Sequence, residues 1–277
     1  MYNNKAYIIK TKTNLHVGSD GTNFGIVDKQ VQRDSITNLP VINSSSLKGA
    51  IKYHFEDILN SEETSKHFIK LFGDDSSGLV KFIDAKLLFL PLRSNKKPFY
   101  HTTSISNLKA MVEFLASFGI DIKLDHIDTN KSVVIGKQSA TVEDVDCQAL
   151  DINIPAINET FGIQNLAIFT DEDFNEVVEN LPVIARNKIA TNENKTDGNL
   201  WYEEVVPRES IFFTVLCYSN NFNTQGADSR GKTDKTIFDA QYKKFEQKLI
   251  NDTIQIGANT SIGYGICDFI LLGESDE

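Results

Sequence analysis

Residues 5–59, KAYIIKTKTNLHVGSDGTNFGIVDKQVQRDSITNLPVINSSSLKGAIKYHFEDIL, read as a strand, a long loop and a helix, in that order. KAYIIKTK, residues 5–12, has an apolar centre between polar flanks, which predicts a strand. Leu47, Ala50, Ile51, Phe55, Ile58 and Leu59 recur on one helical face, so residues 45–59 are predicted helical. Ser44, Ser45 and Ser46 offer capping oxygens for the first turn. The intervening loop, residues 14–44, is rich in Gly, Asn, Asp and Ser. A loop of that length inside a compact domain is usually functional.

Working outward, SEETSKHFIKLF (61–72) predicts a short helix stopped by Gly73. LVKFIDAKLLFLPL (79–92) predicts a strand. SISNLKAMVEFLASFG (104–119) and TDEDFNEVVENL (170–181) predict helices, the second capped by Thr170 and carrying three acids in its first turn. Residues 93–181 as a whole read as an insertion of mixed structure. VIARNKIATNENKTDGNLWYEEVV (183–206) reads as two strands around a polar, Gly-containing tip, a long β-hairpin. SIFFTVLCYS (210–219) predicts a buried strand and KTIFDAQYKKFEQKLIN (235–251) an amphipathic helix. TIQIG and YGICDFILLG close the chain as strands around a glycine-bearing loop. Without the insertion and the hairpin the order is strand, helix, strand, strand, helix, strand. That predicts an α+β, ferredoxin-like fold of the RRM type, an antiparallel sheet with helices on one face, in a single domain.

The net charge of -10 argues at first against nucleic acid. Its distribution argues otherwise. Residues 1–110 hold 15 basic and 10 acidic side chains, whereas residues 111–180 hold 3 and 14. Phosphate responds to the local field within about 8–10 Å, so a distant acidic segment does not forbid binding. The acidic segment is expected to face a protein neighbour or solvent. Cys147, Cys217 and Cys267 are far apart and odd in number, which suits reduced thiols rather than a disulfide framework. Neither a signal peptide nor a membrane-spanning stretch is evident, so a soluble cytoplasmic protein without membrane contact is expected.

The chemistry concentrates in residues 15–52. Gly18, Gly21 and Gly25 permit close backbone approach, and Asp28 sits between Ile26-Val27 and Lys29. Arg33 follows, then the serine-capped helix with Lys48 and Lys52 on one face. The N–H groups at such a helix start can hold a phosphate. His16 could stabilise phosphate charge or act as an acid, although a lone histidine after a strand is more often structural. An ordinary capped helix after a long loop would show the same residues, so on this ground alone both readings stand. A metal-dependent enzyme of small molecules would need a cluster of His and carboxylate ligands, and no such cluster is recognisable.

Three blocks narrow the choice. GIVDKQVQRDSITNLPVINSSSLKGAIK (25–52), LWYEEVVPRESIFF (200–213) and IQIGANTSIGYG (254–265) together resemble the RAMP superfamily, whose members bind CRISPR RNA. In particular they are similar to the backbone subunit of type III-B (Cmr) effector complexes. Ala258 stands where the family often has a second glycine. The resemblance implies several copies stacked as a helical filament on a guide RNA, together with large, small and end-capping subunits. It implies an endoribonuclease that cuts the complementary target RNA at regular intervals, beside nucleotides displaced by the hairpin thumb. It places the cut at Asp28. On chemical grounds that carboxylate can act as general base, or hold a divalent cation, Mg or Mn, shared with RNA phosphate and water. RNA contact is expected at Arg33, Ser45, Ser46, Lys48, Lys52, Arg186, Lys188, Gly257, Asn259, Gly263, Tyr264 and Gly265, although Tyr264 could equally pack into the core. The alternative is a non-catalytic RNA-binding scaffold from another CRISPR effector type. Glu203 and Glu204 are expected to serve structure or subunit contact rather than catalysis.

Overall fold

The computed structural model describes residues 2–19, 27–56, 71–73, 78–188, 199–219 and 234–273. Strand β1, Tyr2–Thr11, opens the chain, and its Ala6, Tyr7, Ile8 and Ile9 are all buried. Side chains alternate across a strand, so this run is covered on both faces. The loop passes through β2 (Val41–Ile42) into α1 (Ser44–Glu56), which buries Leu47, Ile51 and Phe55. Of the helix expected over 61–72, only Leu71 and Phe72 lie within the described residues. The strand expected over 79–92 divides into β3 (Val80–Phe82) and β4 (Ala85–Arg93). At the break, Asp84 Oδ1 accepts the Ser44 N–H at 2.6 Å, which satisfies one free amide of α1.

The region anticipated as an insertion holds β5 (Phe99–Ser104), α2 (Ile105–Ser117), β6 (Val133–Ile135), β7 (Ala140–Val142), β8 (Val145–Leu150), α3 (Pro155–Phe161), β9 (Leu166–Phe169) and α4 (Asp171–Glu179). Ser104 Oγ caps α2 by accepting from Asn107 N at 3.2 Å, and Thr170 Oγ1 caps α4 by accepting from Asp173 N at 3.1 Å. There follow β10 (Val183–Lys188), β11 (Asn199–Glu204), β12 (Ile211–Ser219), α5 (Asp234–Asn251), β13 (Thr253–Gln255) and β14 (Ile266–Leu271). β10 and β11 pair only with each other as a two-stranded sheet, with Ala185 opposite Tyr202.

The remaining twelve strands form one sheet in the order β13–β14–β1–β12–β4–β5–β9–β6–β8–β7, with β2 on β4 and β3 on β12. Only β5–β9 and β6–β8 are parallel. The fold is therefore mixed α+β and dominated by antiparallel pairing. From β4 the sheet continues outward through β5, β9, β6, β8 and β7.

The expectation of helices on one face needs correction. Tyr7 and Ile9 pack in one cluster with Leu47, Ile51 and Phe55 of α1, Phe174 and Val178 of α4, and Phe245 and Leu249 of α5. Ala6 and Ile8 pack in another with Leu108, Met111 and Leu115 of α2 and Ile157 and Phe161 of α3. The cause is the central strands themselves. β12 is buried from Ile211 through Tyr218, so both of its faces are apolar and both need cover. Residues 105–161 supply the second layer. Among the described residues, no helix is long and apolar enough to cross a membrane.

A candidate nucleic-acid interface at the hairpin base

Beyond β1 the chain stays attached to both the hairpin and the C-terminal strands. Leu15 exchanges backbone hydrogen bonds with Val206 at 2.8 and 2.9 Å, and Gly265 N donates to Asn14 O at 2.8 Å. Four segments thereby converge: residues 14–18, residues 27–33, the base of β10–β11, and the glycine-rich loop 256–265.

Asp28 is exposed and lies along β11. Tyr202 N donates to Asp28 Oδ2 at 2.7 Å, and the Asp28 and Lys29 amides both donate to Tyr202 O, at 3.0 and 3.1 Å. Glu204 N donates to Lys29 O at 2.9 Å. In an antiparallel pair, alternate residues turn their backbone groups away from the partner strand. Tyr202 and Glu204 turn theirs toward residues 28–29, which form a short third rung of the hairpin. Lys29 Nζ sits over the Trp201 ring, 5.4 Å from its centroid.

Glu203 and Glu204 are both buried, at 1% and 5% exposure. As strand neighbours they face opposite sides, so each has its own polar nest. Glu204 accepts from Val31 N at 2.9 Å and meets Arg33 Nη2 at 2.5 Å. Arg33 also donates to the carbonyls of Asn38 and Val178. Glu203 accepts from Arg186 Nε at 2.9 Å and from Asn259 Nδ2 at 2.9 Å, with His16 Nε2 at 3.6 Å. Burial pushes the Glu203 carboxyl up. The Asn259 hydrogen bond, His16 and Arg186 outweigh it and hold the group below the usual carboxylate range.

The predicted residues Arg33 and Arg186 are therefore each joined to a buried carboxylate. Arg186 also stacks on Tyr264, its guanidinium carbon 4.7 Å from the ring centroid. His16 is buried, at 3% exposure, with Nδ1 2.7 Å from Glu204 O.

Gly257 adopts φ +82°, and a Cβ there would lie 2.4 Å from His16 O. Gly265, at φ +74°, would meet Ile256 O at 1.9 Å. Gly257 thus lets the loop seat against residues 16–17, and Gly265 lets it close on its own Ile256 carbonyl. Gly263 also has a positive φ but faces open space.

At the start of α1, Ser45 is exposed and Ser46 half-buried. Gln32, which the sequence pattern did not single out, ties this turn to the loops. Its Oε1 accepts from Asn43 N at 2.9 Å, and its Nε2 donates to Ser46 Oγ and Gly18 O, both at 3.2 Å. Nothing in its spacing signals that role. Lys48 and Lys52 are half-buried and form no ion pair among the described residues. The Lys188 side chain and hairpin residues 189–198 lie outside the described residues.

The RAMP superfamily pattern matches residues 8–268. The chain belongs to the RAMP superfamily. It is 28% identical to the CRISPR system Cmr endoribonuclease Cmr4 of Pyrococcus furiosus, over 94% of either chain. It is 26% identical to the CRISPR system CMR subunit Cmr4 of Saccharolobus solfataricus, over 98% of this chain and 97% of that one. In fold, this RAMP chain resembles the crystal structure of oligomeric Cmr4 from Pyrococcus furiosus, with a TM-score of 0.71 at 22% identity, covering 98% of this chain and 99% of that one. It also resembles a chain in a cryo-EM structure of type III-B Cmr-beta bound to cognate target RNA, with a TM-score of 0.72 at 24% identity over 97% of both chains.

Proposed function

We propose that this RAMP chain is the RNA-cutting backbone subunit of a type III-B effector complex. It holds a CRISPR guide RNA beside further copies of itself and the other effector subunits, and it cleaves the complementary target with Asp28. The observation that carries the reading is the placement of Asp28. A single exposed carboxylate is fixed by backbone bonds to the base of the β10–β11 hairpin. The names and functions of its relatives support the same reading.

The order β14–β1–β12–β4, with α1 and α5 against one face, supports a ferredoxin-like half as the RNA-binding frame. Lys48, Lys52 and the α1 amides at Ser45 and Ser46 offer charge and N–H groups to the guide backbone. A cleft of about 980 Å³ beside the hairpin base, where Pro182 and Pro207 line it, carries Glu143, Asp144, Asp146, Asp173 and Glu176 against the single cation Arg93, a predominantly acidic surface that disfavours phosphate.

RNA brings its own nucleophile. When a nucleotide is splayed out, its 2′-OH can align with the leaving 5′ oxygen, and that alignment supplies much of the rate. Asp28 takes the hydroxyl proton, the 2′-oxygen bonds to phosphorus, and the bond to the 5′ oxygen breaks. The products are a 2′,3′-cyclic phosphate and a 5′-hydroxyl that gains a proton from solvent.

Among the described residues no group of three or more His, Cys, Asp or Glu side chains could hold a metal ion. In the alternative to proton abstraction, the one Asp28 oxygen not used by Tyr202 would hold a Mg or Mn ion whose remaining ligands come from RNA phosphate and water. Such an ion would neutralise charge on the phosphorane.

The test is a complex assembled entirely with Asp28→Ala and given labelled target RNA. Retained binding with lost, regularly spaced cuts is expected. Normal cleavage would leave a scaffold role alone.

A further inference from the structure

We propose that the backbone N–H of Tyr202 is the positioning group of the cleavage site, holding Asp28 Oδ2 so that Oδ1 is the oxygen presented to RNA. The inference rests on the Asp28 reading above. An ionised carboxylate has two accepting oxygens and no donor. At Asp28 their roles divide. Oδ2 accepts the Tyr202 N–H at 2.7 Å, the short distance of a charge-assisted bond. Oδ1 has no protein partner among the described residues.

An exposed aspartate in a long loop would otherwise sample several rotamers. Here the loop backbone is itself tied to the same strand. Asp28 N and Lys29 N reach Tyr202 O, and Glu204 N reaches Lys29 O. Tyr202 in turn cannot shift alone. It lies opposite Ala185 in β10, and the next two residues of β11 carry the buried carboxylates bonded to Arg186, Asn259, Val31 and Arg33. The hairpin base and the Asp28 carboxylate therefore move as one body.

This has a consequence for the reaction. On the reading that the hairpin is the thumb that displaces nucleotides, as the family resemblance implies, the same element also sets where the acting oxygen stands. The distance from the displaced nucleotide to the cut linkage is then fixed by a main-chain hydrogen bond, independent of base identity.

The experiment uses the full effector complex with guide and labelled target RNA. Tyr202 is replaced by its α-hydroxy acid analogue, which swaps the amide for an ester, deleting this N–H with the side chain kept and weakening the Trp201 carbonyl only as an acceptor. Tyr202→Pro removes the same donor by a second route. Target affinity, single-turnover cleavage rate and the cut position at nucleotide resolution are measured. We expect unchanged affinity, a rate lower by on the order of 10- to 100-fold, and cuts spread to adjacent linkages, as for a misplaced catalytic group. An ester variant that cuts at the normal rate and position overturns the proposal. So does one whose affinity and rate fall in parallel, since that is a purely structural defect. If Tyr202→Pro fails to assemble, the ester variant alone decides. Asp28→Ala in the same assay separates the two claims. Normal cutting by Asp28→Ala removes the Asp28 reading itself, whereas a silent Asp28→Ala beside an unimpaired ester variant removes only the role of Tyr202.

Discussion

Arg33 Nη2 lies 2.5 Å from Glu204 Oε1, closing an ion pair between the loop that carries Asp28 and the strand that carries Tyr202. Both side chains are largely removed from solvent, at 16% and 7% exposure. Losing one member of such a pair leaves the other charge without a partner, which typically costs about 3 kcal/mol or more. Arg33→Ala and Glu204→Ala should each lower stability by about that amount, measured by urea unfolding of the chain. Because the same carboxylate accepts the Val31 N–H, Glu204→Ala should be the worse of the two. A double variant that costs no more than the worse single one would show that the two act as a unit.

Gly257 and Gly263 make a paired test of why the last loop is rich in glycine. Both have positive φ, so alanine at either carries a strain of about 1 kcal/mol. At Gly257 the added Cβ would also strike His16 O at 2.4 Å, while at Gly263 it meets nothing within 4 Å. Gly257→Ala should therefore destabilise by several kcal/mol and Gly263→Ala by about 1. Thermal melts of the two variants check this. Equal losses would mean that the loop yields at His16.

These local relationships were unequally legible in the sequence. The elements that rest on short-range patterns were readable. β1, α1, α4 and α5 all follow from apolar spacing, and the Thr170 cap with its acidic first turn sits where the residues place it. What depended on distant partners was not. The burial of Glu203 and Glu204 needs Arg186, Arg33 and His16, which lie 17, 171 and 188 residues away from the groups they meet. The sequence favoured structure or subunit contact over catalysis for that Glu-Glu pair, but its partners leave no trace in spacing. The strand Phe99–Ser104 was also missed. It is defined by pairing with β4 on one side and β9 on the other, not by its own alternation. The second helical layer was missed for the same reason, since β12 shows only that it is apolar throughout.

Acid sensitivity should divide into two windows. Burial, with the Lys10 ammonium nearby, pushes the His101 imidazole from its ordinary 6.5 down to about 4. Between those values the unfolded chain binds a proton that the folded chain refuses. The stability present above pH 6.5 is therefore lost as pH falls toward 4, by about 3 kcal/mol. Glu203 has its carboxyl held below the ordinary 4.5, so its contribution is complete above that value and is lost only at lower pH. His101→Leu should flatten the change in urea midpoint between pH 6.5 and 4.5, and Glu203→Gln should leave that interval unchanged. A His101→Leu profile parallel to that of the parent chain would rule out the buried imidazole as its cause.

Guide binding should depend on salt in a way that counts lysines. Lys48 and Lys52 share one face of α1 and are not engaged by any carboxylate among the described residues, and both ammonium groups are proposed to meet phosphate. Each phosphate contact releases condensed counterions, about 0.7 per contact for a single strand. Lys48→Ala and Lys52→Ala should each weaken guide RNA binding similarly for all sequences and reduce the slope of log affinity against log salt by about that amount. Arg33 and Arg186 differ, because their guanidinium groups already face Glu204 and Glu203. Their replacement should cost stability before it changes the salt slope. Titrations of guide RNA at several potassium concentrations, run beside thermal melts, separate the two kinds of basic residue. A slope reduced by Arg186→Ala without loss of stability would reverse the assignment and place that guanidinium on the RNA.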